Sequence, residues 1–317
     1  MAVTELAGRI AVVTGGGTGM GRELVCRLAA AGAHVAACDL NTETLQQAAD
    51  LAGVRAASGV RITTHQCDVT DANAVAAFAA EVAEQHDSDY INLLFNNAGV
   101  GGGGSFVIDD QREAWDKTFE VCWNGVLHCA RAFMDMLVRS DAGAMVNTAS
   151  INGFWATIGP GLPHTSYCAA KFAVKGFTEA LMQDLALHAP HVSAHVVMPG
   201  HIGTEIARNS FTTHGADIPL VRKNMQARGI NLDGFSDEQI EGFVNDRNTR
   251  FRDDAPTTAA QAAEVIVSDV LAGRWRILVG DDAYAIDEAV RADPEAAYTE
   301  AFLEGLRDQG HLQVLGR

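Results

Sequence analysis

The sequence predicts an α/β fold of the Rossmann type, a doubly wound parallel sheet flanked by helices. Three observations predict it. Short apolar runs alternate with helical stretches over residues 9–150, the order that builds βαβ units. The first apolar run passes directly into a glycine cluster and then a helix. The small and polar residues that stand out fall at strand ends, where open parallel sheets bind ligands. The chain has 317 residues, 48% of them hydrophobic, enough for a substantial core. We expect one catalytic domain over residues 1–317.

Residues 9–14 read as a buried strand. Gly15-Gly16-Gly17-Thr18-Gly19-Met20-Gly21 follows, then an Ala- and Leu-rich helix to about Ala31. Glycines let the backbone turn tightly and let a pyrophosphate approach a helix N-terminus, where N–H groups and the dipole favour negative charge. Residues 34–39 form the second strand, ending in Asp39, 24 residues after Gly15. A carboxylate there can bond both adenosine ribose hydroxyls and repels a 2′-phosphate. Leu40 and Asn41 add no cation for such a phosphate, so NAD is favoured over NADP.

Residues 61–66 read as the third strand, with Cys67-Asp68-Val69 after it; Asp68 is placed to meet an adenine amino group. Asp71 caps a helix to about Gln85. Residues 91–95 form the fourth strand, followed by Asn96-Asn97-Ala98-Gly99, a set of small residues and amides able to line a cofactor pocket. Residues 101–104 are four glycines, expected to be mobile. A long helix is expected over 114–139 with Asn124 inside it; Gly125 favours a kink there, and the apolar neighbours Val121, Trp123, Val126 and Leu127 offer the alternative of a buried Asn124 in need of a partner. Residues 145–149 form the fifth strand, which Ser150 ends.

Tyr167-Cys168-Ala169-Ala170-Lys171 opens the next helix and puts Tyr167 and Lys171 one turn apart on one face. A free Tyr titrates near pH ~10. A nearby ammonium lowers that value and suits the phenol to proton transfer with an alcohol or ketone. Residues 191–198 form the sixth strand. His188, His191 and His195 invite a metal reading, but no carboxylate or Cys joins them at ligand spacing, so no metal site is expected.

Taken together these motifs resemble the short-chain dehydrogenase/reductase family. Thr14-Gly15-x-x-x-Gly19-x-Gly21 looks like its cofactor loop, and Asn96-Asn97-Ala98-Gly99 like its fourth-strand motif. Asn124, Ser150, Tyr167 and Lys171 fall in the order of its catalytic tetrad. Pro199-Gly200-x-Ile202-x-Thr204 looks like the segment that covers the nicotinamide. The resemblance implies that Tyr167 is the general acid/base. Lys171 lowers its pKa and holds the nicotinamide ribose, Ser150 orients the substrate oxygen, and Asn124 holds a water that passes protons to Lys171. It implies a cofactor site built from Gly15, Thr18, Gly19, Met20, Asp39, Leu40, Asp68, Val69, Asn97, Ala98, Gly99, Tyr167, Lys171, Pro199, Gly200, Ile202 and Thr204.

One departure stands out. Seventeen positions separate Ser150 from Tyr167, about four more than is usual in the family. The extra residues fall in 154–165, with Trp155, Pro160, Pro163 and His164, and are expected to wall the substrate site. Were Ser150 not the family's serine, Thr165 or Ser166 would replace it. His201, beside the expected nicotinamide, is a further candidate for substrate contact.

Residues 205–255 are long, polar and mixed, and the resemblance makes them a lid over the substrate. Residues 257–271 read as a helix capped by Thr257 or Thr258, and 275–279 as the last strand. The extension 281–317 contains an amphipathic helix at 294–306, with Tyr298, Phe302, Leu303 and Leu306 on one side. It is expected to pack on its own subunit or on a partner.

Net charge is −17, which disfavours nucleic acid and anionic membrane as partners. No apolar run approaches the ~20 residues of a membrane span, and the start of the chain lacks a secretory pattern. The six cysteines are scattered, with no Cys-x-x-Cys pair, and read as small hydrophobes in a reducing compartment. A cytoplasmic location follows. The expected function is NAD-dependent oxidation of a CH–OH group or the reverse ketone reduction. The substrate would be a bulky apolar secondary alcohol (cyclic, steroid-like or aryl), and the protein a homodimer or homotetramer. An NAD-binding regulator without turnover and an isomerase or epimerase with retained NAD are the alternatives.

Overall fold

The structure, a computed structural model, describes residues 3–102, 104–107, 112–157, 163–215, 217–227 and 230–311. Seven parallel strands form the central sheet: β1 (Ile10–Thr14), β2 (His34–Asp39), β3 (Ile62–Gln66), β4 (Leu93–Asn96), β5 (Gly143–Thr148), β6 (Val192–Pro199) and, later in the chain, Arg276–Val279. A short strand pair intervenes, β7 (Ile202–Gly203) with β8 (Thr257–Thr258), so Arg276–Val279 is β9. The order across the sheet is β3-β2-β1-β4-β5-β6-β9. It reverses between β1 and β4, which opens a crevice at the carboxyl ends of those strands. Strands β1, β4 and β5 are buried throughout, as a sheet covered on both faces requires.

Helices α1 (Gly19–Ala30), α2 (Thr42–Arg55) and α3 (Ala72–His86) connect the first four strands. Asn41 and Asp71 cap α2 and α3, each accepting two N–H bonds from the first turn. The long helix expected over 114–139 is interrupted. Helix α4 (Arg112–Phe119) passes through a π turn (Glu120–Asn124) into α5 (Gly125–Arg139), so the kink expected at Asn124-Gly125 is present as a widened turn. Helix α6 (Thr165–His188) carries Tyr167 and Lys171.

The polar stretch after β7 holds three helices that hydrophobic pattern did not reveal: α7 (Ile206–Thr213), α8 (Ile218–Ala227) and α9 (Asp237–Asp253). A capping box between Ser236 and Gln239 starts α9, and a second between Thr258 and Gln261 starts α10 (Ala259–Leu271). After β9 come α11 (Asp281–Ala292) and α12 (Glu300–Asp308). The expected helix at 294–306 begins later, because Thr299 caps α12 at Phe302 N. Leu303 and Leu306 are buried with Trp155, Met198, Leu278 and Ile286, so the extension packs on its own chain. All six cysteines are buried and free. Among the described residues, no helix is long and apolar enough to cross a membrane.

Candidate active site

The glycine turn after β1 forms a cradle at the carboxyl edge of the sheet. Gly15 holds a φ of +64°, and a Cβ there would come within 2.9 Å of Ala98 Cα. A Cβ on Gly21 would collide with the Gly15 carbonyl. Thr18 leads into α1 without capping it through its side chain, which leaves the first N–H groups of the helix for an anion. Asn97 holds the turn from the neighbouring strand end. Its Nδ2 donates to the Thr14 and Gly15 carbonyls at 3.1 and 3.3 Å. The N–H groups of Asn97 and Ala98 both donate to Thr14 Oγ1 at 3.0 Å. Asn97 Oδ1 is buried beside the turn without a partner among the described residues, an acceptor open to a hydroxyl or amide of a ligand.

Asp39 does more than the sequence suggested. Gly17 N donates to its Oδ2 at 3.0 Å and Asn41 N to its Oδ1 at 3.1 Å, so the carboxylate braces the turn from the end of β2. Leu40 beside it is half exposed. Asp68 Oδ1 accepts from the Thr70 N–H and hydroxyl, and Val69 is buried with its carbonyl accepting from His128 Nδ1. Met20 lies in the first turn of α1, and Thr204 packs its side chain toward Gly19. Pro199 ends β6 and Ile202 is buried in β7. An uncapped helix start behind a glycine cradle, with a carboxylate beyond it, fits a dinucleotide.

The acid/base cluster lies at the ends of β4 and β5. Lys171 is buried on α6, and its Nζ donates to the Thr148 carbonyl at 2.8 Å. Nζ is 5.4 Å from the centre of the Tyr167 ring, and a Cβ on Gly99 would lie 3.6 Å from it. Ser150 caps the short turn after β5, accepting from Asn152 N at 3.1 Å. Its hydroxyl acts on the Tyr167 phenol, pulling the phenol pKa down. Thr165 and Ser166 are engaged elsewhere, with Trp115 and the Gly104 carbonyl, so Ser150 is the hydroxyl at Tyr167.

The electrostatics differ from expectation. Burial holds the Tyr167 phenol above its ordinary pKa, Cys122 pushes the same way, and the Ser150 hydroxyl pulls down. Burial lowers Lys171, with Cys122 opposing. Burial is the largest influence on the phenol, and the pocket favours a neutral Tyr167.

Three candidates have side chains engaged by protein partners of their own. Asn124 Nδ2 donates to Glu120 Oε2 at 2.6 Å, one turn back on the exposed side. The buried member of that π turn near Lys171 is Cys122, whose Sγ donates to the Val100 carbonyl. Trp155 is fully buried, and its Nε1 donates to the Ala297 carbonyl at 2.8 Å. It pins the extension and does not wall the site, because that position is covered by chain 142 residues downstream. His201 turns its ring onto Phe251, with Nε2 donating to the Phe251 carbonyl at 2.7 Å. His188, His191 and His195 each have separate protein partners.

Two residues, one beside Lys171 and one at the glycine turn, carried no functional signal of their own. Cys122 read as a small hydrophobe. Asn209, on α7, donates through Nδ2 to Thr18 Oγ1 at 3.0 Å, which brings α7 across to the glycine turn. His164, expected in the wall loop, has its ring 4.6 Å from that of Tyr167, and burial pushes its pKa down to about 4. Pro160 lies outside the described residues. A separate cleft of about 380 Å³ opens among α7, α8 and α9, with Arg208, Phe211, Ile218 and Val244 in its walls. Its lining contains neither Tyr167 nor Lys171, so it is not the acid/base cleft.

Residues 9–215 match the profile of the family described as short chain dehydrogenase. A Mycobacterium tuberculosis protein named as an oxidoreductase, SadH, is 30% identical over 289 residues, 91% of this chain and 92% of its own. The 2,5-dichloro-2,5-cyclohexadiene-1,4-diol dehydrogenase of Sphingobium indicum is 29% identical, covering 84% of this chain and 92% of its own. A solved short chain dehydrogenase/reductase from Burkholderia phymatum, in complex with NAD, superposes with a TM-score of 0.72 at 26% identity. It covers 93% of this chain and 97% of its own. Other solved neighbours carry NADP.

Proposed function

Because the chain belongs to the short-chain dehydrogenase family, we propose that it is an NAD-dependent dehydrogenase or ketoreductase for a bulky apolar secondary alcohol or ketone. The observation that carries this is the meeting of Ser150, Tyr167 and Lys171 at the same sheet edge as the glycine cradle. Bound NAD supplies the hydride acceptor or donor. The chain supplies the rest. Residues 15–21 and 97–99 seat the dinucleotide, and Asp39 takes the adenosine ribose and repels a 2′-phosphate. The Ser150 hydroxyl orients the substrate oxygen, and Tyr167 passes the proton. Lys171, held by the Thr148 carbonyl, places a positive charge behind the phenol and holds the nicotinamide ribose.

The His164 ring supports an apolar wall beside Tyr167, since it is held neutral there. The cyclic diol substrate in the Sphingobium enzyme's name supports a ring-bearing substrate. Residues 205–255 act as the lid on a single catalytic unit, with α7 reaching Thr18 through Asn209. The edge of β9, unpaired among the described residues, supports assembly as a homodimer or homotetramer.

Tyr167→Phe tests the mechanism. It should lower kcat by roughly 10²–10⁴-fold while the calorimetric Kd for NAD moves less than about threefold. Because burial raises the phenol pKa, alcohol oxidation by the unmodified protein should climb with pH into the alkaline range, since that direction needs the phenolate. Ketone reduction should decline over the same range. Survival of activity in the Phe variant would remove Tyr167 from the chemistry. NAD binding with no net NADH from any alcohol would favour a regulator or a retained-NAD isomerase.

A further inference from the structure

We propose that Asp282, in the extension beyond the last strand, is a positioning residue for the cofactor segment 199–204, acting through the main-chain N–H of His201. The proposal rests on the reading that this segment covers the nicotinamide.

An aspartate in the first turn of a helix ordinarily stays in water and serves the dipole from there. Asp281 is placed to do so. Asp282 instead is 6% exposed. Its Oδ2 accepts the His201 N–H at 2.6 Å, a short charge-assisted bond, and its Oδ1 is buried with no partner among the described residues. Burial raises the carboxyl pKa, and the N–H groups of His201 and Ala283 counter that rise. Burying a carboxylate this deeply is costly, so the contact it makes is the feature to explain.

The surroundings are shaped for that contact. Gly200 follows β6 and Gly280 follows β9, and Gly200 N donates to the Val279 carbonyl at 2.9 Å. A Cβ on Gly200 would collide with both carboxylate oxygens, and one on Gly280 would lie 2.5 Å from Oδ1. Two glycines at the ends of paired strands thus leave the space that one side chain from α11 fills. The requirement for glycine in Pro199-Gly200 has a local cause here: the backbone must admit Asp282.

The same segment is held from the opposite side by its own side chain. The His201 ring packs at a tilt against Phe251, 4.4 Å between centroids, and donates to the Phe251 carbonyl in the last turn of α9. That carbonyl lacks a helical partner of its own. Residues 200–203 therefore sit between α9, which holds the His201 imidazole, and α11, which holds the His201 backbone. Ile202 and Gly203 then pair with Thr257 and Thr258. The backbone that follows β6 takes its register from chain lying beyond the common core.

The experiment combines cofactor calorimetry with amide hydrogen exchange on Asp282→Ala and Asp282→Asn. In the unmodified protein the His201 amide should exchange more slowly than its neighbours at 203–205. Asp282→Ala should weaken NAD binding by about tenfold, the effect expected for losing a hydrogen bond to a charged group, and speed exchange at 200–204 without speeding it across the sheet. Asp282→Asn keeps an acceptor oxygen and should return the affinity to within about threefold of the starting value. An unprotected His201 amide in the unmodified protein overturns the proposal whether or not the Ala variant folds. Unchanged affinity and unchanged exchange in a folded Ala variant overturn it as well. Faster exchange at 200–204 with unchanged affinity overturns instead the reading that this segment touches the cofactor.

Discussion

The ends of β1–β4 and the ends of β5, β6 and β9 sit on one sheet edge but are built differently. At the first, each functional group is held by residues close in sequence or on the neighbouring strand: Asp39 by Asn41 and Gly17, Asp68 by Thr70, Asn97 by Thr14 and Gly15. At the second, the loops are pinned by the far end of the chain: Trp155 by Ala297, Ala156 by Tyr298, His201 by Phe251 and Asp282. The first arrangement is a self-contained binding turn. The second is a frame whose geometry is set from outside it, by the excursion after β7 and by the extension.

Asp39→Ala strikes the self-contained side, and its effect should exceed that of any single change to the frame at Trp155 or to the π turn at Asn124. Two things are lost together: the repulsion of a 2′-phosphate and the brace on Gly17 N. Both cofactors should bind more weakly, and the preference for NAD over NADP should narrow by about tenfold, the worth of one charged hydrogen bond. Calorimetry with both cofactors reads the two effects separately. Equal weakening with an unchanged preference would leave Asp39 a brace alone.

Trp155→Phe strikes the frame. The phenyl ring keeps most of the burial against Phe302 but loses the bond to the Ala297 carbonyl. Stability should fall by about 1 kcal/mol, read from the denaturation midpoint, with substrate KM moving less than about threefold. A large rise in KM at unchanged stability would return Trp155 to the substrate wall.

That outcome bears on how much the sequence could reveal. Strand ends, the Asp71 cap and the glycine turn were legible because their signals are local: an apolar run, a capping residue, a spacing of glycines. Helices α7–α9 were not, because their apolar residues are dispersed among charges. The capping box at Ser236 was the one local mark of α9. Trp155 and His201 read as substrate contacts because an aromatic ring or imidazole near a catalytic loop has no visible partner in sequence. Their partners lie up to 142 residues away.

Asn124 is the finest test of that limit and carries the smallest expected effect. The sequence offered an amide within an apolar stretch, and an amide was the group sought. A turn of helix presents residues two apart on nearly opposite sides. Here the side toward Lys171 is taken by Cys122, whose thiol bonds the Val100 carbonyl, while Asn124 bonds Glu120 near the surface. Asn124→Ala removes only that outward bond, and exposed pairs of this kind contribute little. Turnover and NAD affinity should both stay within about twofold, measured with any alcohol on which the unmodified protein is active. A hundredfold fall in kcat at unchanged affinity would mean that the Asn124 main chain or amide reaches the proton path after all. The division between a legible binding turn and an externally set frame would then run through the π turn itself.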